Sequence, residues 1–106
     1  MTMTLIDNGL RIDGYHVDGV AVVVVCGELD SSAAPELRAA FDALTPDEHV
    51  YVDCAGVGFI DSDGLTVLCE LAQRNVDSGG PLHVLASVAL RRMIWVSGVE
   101  HLFALD

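Results

Sequence analysis

Residues 59–65 read FIDSDGL, and this stretch joins two segments of different hydrophobic periodicity. Before it, residues 50–54 form a short β-branched and aromatic run, which is typical of a β-strand. After it, apolar residues recur at the i, i+3, i+4, i+7 and i+11 spacing of one face of an α-helix. These residues are Leu65, Leu68, Cys69, Ala72 and Val76. The stretch is therefore predicted to lead from a strand directly into the N-terminus of a helix.

Asp61, Ser62 and Asp63 fall at the predicted start of this helix, where backbone N–H groups have no intrahelical partner. Aspartate and serine side chains accept hydrogen bonds from such groups, so ordinary helix capping explains the cluster on spacing alone. The same position leaves a serine hydroxyl facing solvent between two carboxylates, where it can receive a phosphate. From this stretch by itself, both interpretations stay open.

The rest of the chain alternates predicted strands with short predicted helices. Residues 10–17 and 20–26 are predicted to form a hairpin, and the unbroken apolar run of 20–26 indicates a central strand buried on both faces. A strand is also predicted at 82–86, and the tail 99–105 is expected to add a short strand or to pack as coil. Helices are predicted around residues 37–44 with Pro35 in the first turn, over about 62–77, and over about 88–97 before Gly98.

This order predicts an α/β fold. We expect a mostly parallel sheet of four to five strands with one antiparallel edge strand, covered by about three helices. A chain of 106 residues is long enough for one hydrophobic core, so a single domain over residues 1–106 is expected. Residues 1–8 are expected to form a loose N-terminus.

The charge balance limits the kinds of partner. Five basic and sixteen acidic residues give a formal net charge of -11, which would repel nucleic acid and anionic lipid. No apolar run approaches the roughly 20 residues that span a bilayer, and the N-terminus does not resemble a signal peptide. The cysteines lack C-x-x-C spacing and are expected to be reduced core residues. They are Cys26, Cys54 and Cys69. We therefore expect a cytoplasmic protein that binds no nucleic acid and does not insert into membranes.

The common signatures of catalysis and metal binding are missing from the sequence. It contains no phosphate-binding glycine loop, no nucleophile elbow and no clustered cysteines and histidines. Asp30, Asp61 and Asp63 fall near predicted strand ends, as in phospho-accepting aspartate sites that bind magnesium, but the chain has no lysine to complete such a set. No catalytic residue, metal or cofactor is expected.

Three blocks of sequence together resemble a known family. They are GELD at residues 27–30, FIDSDGL at 59–65 and LRRMIWVSGV at 90–99. In this order and at these separations they resemble the STAS domain, and within it the bacterial anti-sigma factor antagonists, from about residue 20 to the end of the chain. The resemblance implies a single STAS-type domain that acts by binding another protein and not as an enzyme.

The resemblance also implies a phosphorylation switch. The family's phosphorylation site is the serine after the aspartate of the second block, which corresponds to Ser62. Unphosphorylated antagonists bind an anti-sigma factor and thereby free its sigma factor. That anti-sigma factor is a serine kinase of the GHKL class, which inactivates the antagonist at this serine, and a phosphoserine phosphatase resets it. The residues expected to contact the partner are Glu28, Asp30, Asp61, Asp63, Gly64 and Trp95.

Two positions depart from the usual pattern of the family. Asp63 stands where many members have a second serine or threonine, so Ser62 lies beside a fixed negative charge. Trp95 stands where members usually have a polar residue, and it is either an exposed anchor for the partner or folded back onto the core. Phosphate at a helix N-terminus is favoured by free N–H groups and the helix dipole, so we expect the fold to stay intact. The added charge of roughly -1.5 to -2 would repel the partner.

Two further functions fit the sequence. In the first, the chain is a STAS docking subunit of a phospholipid-transport or stress-signalling assembly and has no phosphorylation switch. Ser62 is then only a cap residue. Because a fold does not determine a function, a small enzyme or nucleotide-binding protein is the third possibility.

Overall fold

The computed structural model describes residues 3–7, 9–45 and 48–106, with side chains from residue 9 onward. The strands are β1 Met3–Asp7, β2 Leu10–Val17, β3 Val20–Leu29, β4 His49–Ile60, β5 Leu82–Ala86 and β6 Phe103–Leu105. The helices are α1 Ala34–Asp42, α2 Ser62–Ser78 and α3 Val88–Ser97, followed by a 3₁₀ turn at Glu100–Leu102. The predicted α/β class and the three helices are confirmed.

The strands form one mixed sheet in the order β1-β2-β3-β4-β5-β6. The first three strands pair antiparallel, and β3, β4, β5 and β6 pair parallel. Each parallel step moves to the next strand in the same direction, so right-handed crossovers place the three helices on one face of the sheet. This arrangement is the predicted mostly parallel sheet, with six strands rather than four to five.

The additional strand is β1, which lies in the segment that was expected to be loose. It pairs with β2 from Met3 opposite Gly14 to Asp7 opposite Leu10. Backbone pairing explains the difference, because β2 would otherwise present a row of unpaired N–H and C=O groups at the sheet edge. The Asn-Gly dipeptide at residues 8–9 is a strong hairpin signal in the sequence. The antiparallel part of the sheet therefore has two strands outside β3.

The core lies between the helices and one face of the sheet. Along β3, Ala21, Val23 and Val25 are buried, whereas Val22 and Val24 on the other face are only half-buried. The prediction that this strand is buried on both faces is therefore wrong, because all the helices cover the same side. Leu37 and Phe41 of α1 and Leu68 of α2 belong to the same buried cluster.

β4 is longer than predicted and ends directly before Asp61. It runs to Ile60 rather than stopping near residue 54, and its pairing with β3 contains two register shifts, between Val24 and Cys26 and between Gly27 and Glu28. After the second shift, Glu28 lies opposite Phe59 and Leu29 opposite Ile60. The carboxyl ends of β3 and β4 are therefore side by side, and the loops that follow them share one edge of the sheet.

Candidate functional site

Two loops meet at this edge, and hydrogen bonds join them directly. The Asp61 N–H donates to the carbonyl oxygen of Leu29 at 3.1 Å, and the Ser31 N–H donates to Asp61 Oδ2 at 3.1 Å. We call residues 28–32 and 61–64 together the switch surface. Residues about 30 positions apart in the sequence are thus held in one rigid arrangement.

Asp61 is the residue that holds this arrangement. It is the N-cap of α2, with an extended backbone, and its Oδ1 accepts the N–H groups of Asp63 and Gly64, each at 3.0 Å. Its other carboxylate oxygen accepts the Ser31 N–H. The capping interpretation of this residue is confirmed, and Asp61 also ties the β3–α1 loop to the helix. Every one of these donors is a main-chain group, so Asp61 acts by positioning the backbone.

Ser62 is the first residue of α2 and its side chain is exposed. Its carbonyl oxygen accepts the Thr66 hydroxyl at 2.8 Å, whereas the Ser62 hydroxyl makes no hydrogen bond within the described part of the chain. Asp63 is exposed beside it. The arrangement offers a free hydroxyl next to a carboxylate, at the tip of a capped helix.

Asp30 is held in a similar way at the start of α1. Its Oδ1 accepts the Ser32 hydroxyl at 2.6 Å and the N–H groups of Ser32 and Ala33 at 3.0 Å each. The hydrogen bond from the Ser32 side chain, followed by that from the Ala33 N–H, lowers the pKa of the Asp30 carboxyl below its ordinary value. Asp30 is half-buried and Glu28 is exposed, so Glu28 is the more available of the two carboxylates.

Gly64 is buried, and its role in the site is to leave room for the neighbouring backbone. A Cβ at this position would lie 2.2 Å from the Leu29 carbonyl oxygen and 2.8 Å from Leu29 Cβ. Only glycine lets the first turn of α2 approach the end of β3 this closely. Gly64 can therefore affect a partner only by shaping the surface, and not through a side chain of its own.

Behind the switch surface, an ion pair connects α1 to α2. The Arg38 guanidinium donates to both carboxylate oxygens of Glu70, from Nε at 3.0 Å and from Nη2 at 3.1 Å. Hydrogen bonding to Glu70 raises the pKa of Arg38, and Asp63 adds a smaller effect. Neither this pair nor the contact of Ser31 with Asp61 was predicted, because the sequence carries no local signal for contacts across 30 or more residues.

Trp95 lies on α3 and is 74% exposed. The alternative in which it folds back onto the core is therefore wrong. α3 is capped by the Ser87 hydroxyl, which accepts the Leu90 N–H at 3.1 Å. The helix ends at Gly98 as predicted, and this glycine has a left-handed backbone with a φ of 70°. The inward side chains of α3 are Leu90 and Ile94.

Among residues 3–7, 9–45 and 48–106, no group of three or more His, Cys, Asp or Glu side chains is placed to hold a metal ion. No helix in these ranges is long and apolar enough to cross a membrane. The three cysteines are free, and burial raises the pKa of the Cys54 thiol to about 12. A concavity of about 350 Å³ lies at the other end of α2, lined by His49, Asn75 and His83 among others, away from the switch surface.

Comparisons with known proteins agree on the kind of domain. Residues 15–105 match the family described as Mlab, STAS domain. The structure is similar to the crystal structure of an anti-sigma factor antagonist from Mycobacterium paratuberculosis, with 31% sequence identity, a TM-score of 0.77, and coverage of 99% of this chain and 85% of that one. It also shares its fold with the anti-sigma factor antagonist SpoIIAA in its unphosphorylated form, at 19% identity and a TM-score of 0.68, over 90% of this chain and 87% of that one. No curated protein matches the chain at a significant level.

Proposed function

We propose, from the premise that this chain belongs to the STAS domain family of anti-sigma factor antagonists, that it binds an anti-sigma factor while Ser62 is unmodified. Binding releases the sigma factor that the partner held. The partner is a serine kinase of the GHKL class, which ends the interaction by phosphorylating Ser62, and a phosphoserine phosphatase restores the binding form. The chain is then a cytoplasmic regulator of transcription and not an enzyme.

The observation that carries this proposal is the state of Ser62. Its exposed hydroxyl makes no hydrogen bond in the described part of the chain, while the residues around it are fixed by hydrogen bonds to the backbone. Asp63 and Glu28 are the exposed carboxylates on the same surface. A kinase thus meets an accessible acceptor on a rigid support.

The hydrogen bonds at the start of α2 suggest how phosphate would act. A helix leaves four N–H groups unpaired at its N-terminus; here those of Asp61, Asp63 and Gly64 are already bonded, and only that of Ser62 has no partner in the described residues. The expectation that free N–H groups would receive the phosphate is therefore wrong for three of the four donors. A phosphate on Ser62 would project towards solvent, and its charge of roughly -1.5 to -2 would face the partner.

Phosphorylation by purified GHKL-class anti-sigma factors of the host tests the proposal. The wild-type chain should acquire one phosphate, mapped to Ser62 by mass spectrometry, and Ser62→Ala should acquire none. Ser31→Ala is the matched control, since this serine is also exposed on the switch surface, and it should be phosphorylated as the wild type is. Equal phosphorylation of Ser62→Ala, or none of the wild-type chain by any such kinase, would contradict the proposed function.

The alternative function is a STAS docking subunit of a phospholipid-transport or stress-signalling assembly. One observation favours this alternative: helix capping alone explains the turn. Asp61 accepts hydrogen bonds from N–H groups at the start of α2 whether or not Ser62 is modified. In that case the chain should co-purify stoichiometrically with assembly subunits, and Ser62→Glu should leave that association unchanged. Loss of the association in Ser62→Glu would favour the switch instead.

A further inference from the structure

α3 has apolar side chains on both of its faces. Leu90 and Ile94 are buried against the sheet, whereas Val88, Trp95 and Val96 are 74%, 74% and 70% exposed. These three are the most exposed large hydrophobic side chains in the described part of the chain. Exposed apolar side chains that lie together on a surface mark sites of interaction with another molecule. The outward side of α3 therefore has the character of a surface that another molecule covers.

Five of the exposed residues of α3 form one continuous stripe, and two of them are arginines. Positions 88, 91, 92, 95 and 96 follow the i, i+3, i+4, i+7 and i+8 spacing of one helix face. We call this set the α3 outer face, namely Val88, Arg91, Arg92, Trp95 and Val96. By contrast, the α1–α2 side exposes the charged pair Arg38 and Glu70.

The charge of the α3 outer face differs from that of the rest of the protein. Of the five basic residues, Arg11, Arg38 and Arg74 each pair with a carboxylate, at 2.8, 3.0 and 3.5 Å. Arg91 donates to the main-chain oxygen of Asp106 at 2.8 Å, and Arg92 makes no ion pair within the described residues. The two arginines without an aspartate or glutamate side-chain partner thus stand together on α3, in a chain whose net charge is -11.

A groove lies between the α3 outer face and the end of β4, the strand that leads into the switch surface. It has a volume of about 320 Å³, and Arg92, Met93 and Val96 line it on the α3 side. The end of β4 lines the other side, including Phe59, which is 49% exposed. Since Phe59 is three residues before Ser62, an extended chain places the two within about 10 Å of each other. A protein seated on Ser62 would therefore extend over the groove.

We propose that the α3 outer face is a second docking surface for the anti-sigma factor, and that it takes a segment of that partner in which carboxylates flank apolar side chains. This inference rests on the proposed function and adds the chemistry of the second contact. The switch surface is acidic and favours basic groups of the partner, whereas the α3 outer face favours acidic and apolar ones. Phosphate on Ser62 would repel the first contact and leave the second in place.

The charges argue against two other occupants. A second copy docked through the same face would bring Arg91 and Arg92 of both copies together, because a two-fold interface joins identical patches. An anionic membrane would attract the arginines but repel a chain of net charge -11.

Trp95 is the only tryptophan of the chain, so it reports on this face directly. The chain is labelled with fluorotryptophan and titrated with the purified anti-sigma factor that phosphorylates Ser62. Fluorine NMR follows the signal of Trp95, and calorimetry measures the Kd of the complex. The Trp95 signal should shift on binding, and Arg92→Glu and Trp95→Ala should each raise Kd by about tenfold or more. Arg74→Glu makes the same charge change about 18 Å along α2 from Ser62 and should alter Kd by less than about twofold. Thermal melting shows that each variant is folded.

The outcomes separate the two proposals. If the partner binds and phosphorylates Ser62 while the Trp95 signal and the Kd of Arg92→Glu stay unchanged, the proposed function stands and the docking surface is wrong. If no GHKL-class anti-sigma factor of the host binds or phosphorylates the chain, both proposals fail. A Trp95 shift that depends only on the concentration of the chain assigns the face to a second copy, and a shift with phosphatidylglycerol vesicles assigns it to a membrane. Either result would overturn the inference.

Discussion

Replacing Gly64 by alanine should loosen the contact that holds the two loops of the switch surface together. The added Cβ would lie 2.2 Å from the carbonyl oxygen of Leu29, far inside van der Waals contact. That oxygen belongs to the β3 backbone and also accepts the Asp61 N–H at 3.1 Å, so it cannot move away without disturbing that hydrogen bond. Either α2 or the end of β3 must therefore shift.

The size of the effect follows from two opposing contributions. Forcing an extra carbon into a packed site costs about 1–3 kcal/mol, and alanine gains up to about 1 kcal/mol over glycine in a helix. Because the clash is with main-chain atoms, we take the upper end and expect a net loss of about 2 kcal/mol in the free energy of unfolding. With an unfolding entropy of about 2.1 cal/mol/K per residue, a chain of 106 residues should melt about 9 °C lower.

Urea denaturation followed by circular dichroism measures this loss, and hydrogen exchange of the Ser31 amide shows whether the loops separate. Gly58→Ala is the matched control, because no atom beyond its two chain neighbours lies within 4 Å of its Cβ position, and it should change stability by less than about 0.5 kcal/mol. A Gly64→Ala protein with wild-type stability and unchanged exchange at Ser31 would refute the argument that this glycine holds the switch surface in shape.

Three further tests address other parts of the structure. Asp61→Ala removes the cap of α2 and should lower the free energy of unfolding by about 1–2 kcal/mol in urea denaturation, while a loss below about 0.3 kcal/mol would contradict the capping role. Ser32→Ala should raise the pKa of Asp30 in an NMR titration, because it removes the largest cause of the depressed pKa. Because the pKa of Asp30 is lower in the folded state, its contribution to stability is present at pH values above its unfolded-state pKa. That contribution is lost as the pH falls through its folded-state pKa. An unchanged Asp30 pKa in Ser32→Ala would disprove that cause. Trp95→Ala should leave the melting temperature within about 2 °C, since the side chain is 74% exposed, whereas Ile94→Ala should cost about 2–5 kcal/mol; equal losses would contradict the orientation of α3.

Features that depend on local sequence could be predicted well. The helix predicted over about 62–77 is Ser62–Ser78 in the structure, because its apolar spacing and its aspartate cap are both contained in the segment itself. Gly98 ends α3 in the left-handed conformation for the same kind of reason. The hairpin around Asp18 and Gly19 also follows from its own residues, since both have positive φ.

Features that depend on pairing between distant segments could not be read from the sequence. The length of β4 is set by its ladder with β3, including two register shifts that no local pattern indicates. The bond from Ser31 to Asp61 exists only because those strands end side by side. The outward orientation of Trp95 depends on which stripe of α3 the sheet buries, and α3 carries large apolar side chains on both its inward and its outward side.

The hydrogen bonds of Asp61 bear on how the proposed switch can work. Within the described residues, its carboxylate is bonded only to main-chain N–H groups, those of Ser31, Asp63 and Gly64, and none of these depends on the Ser62 hydroxyl. Modifying that hydroxyl therefore removes no hydrogen bond made within the described residues, so the two loops should keep their arrangement. The difference between a binding and a non-binding form then has to arise at the interface, where an uncompensated phosphate meets the partner. The proposed switch thus requires a change of charge on an unchanged fold.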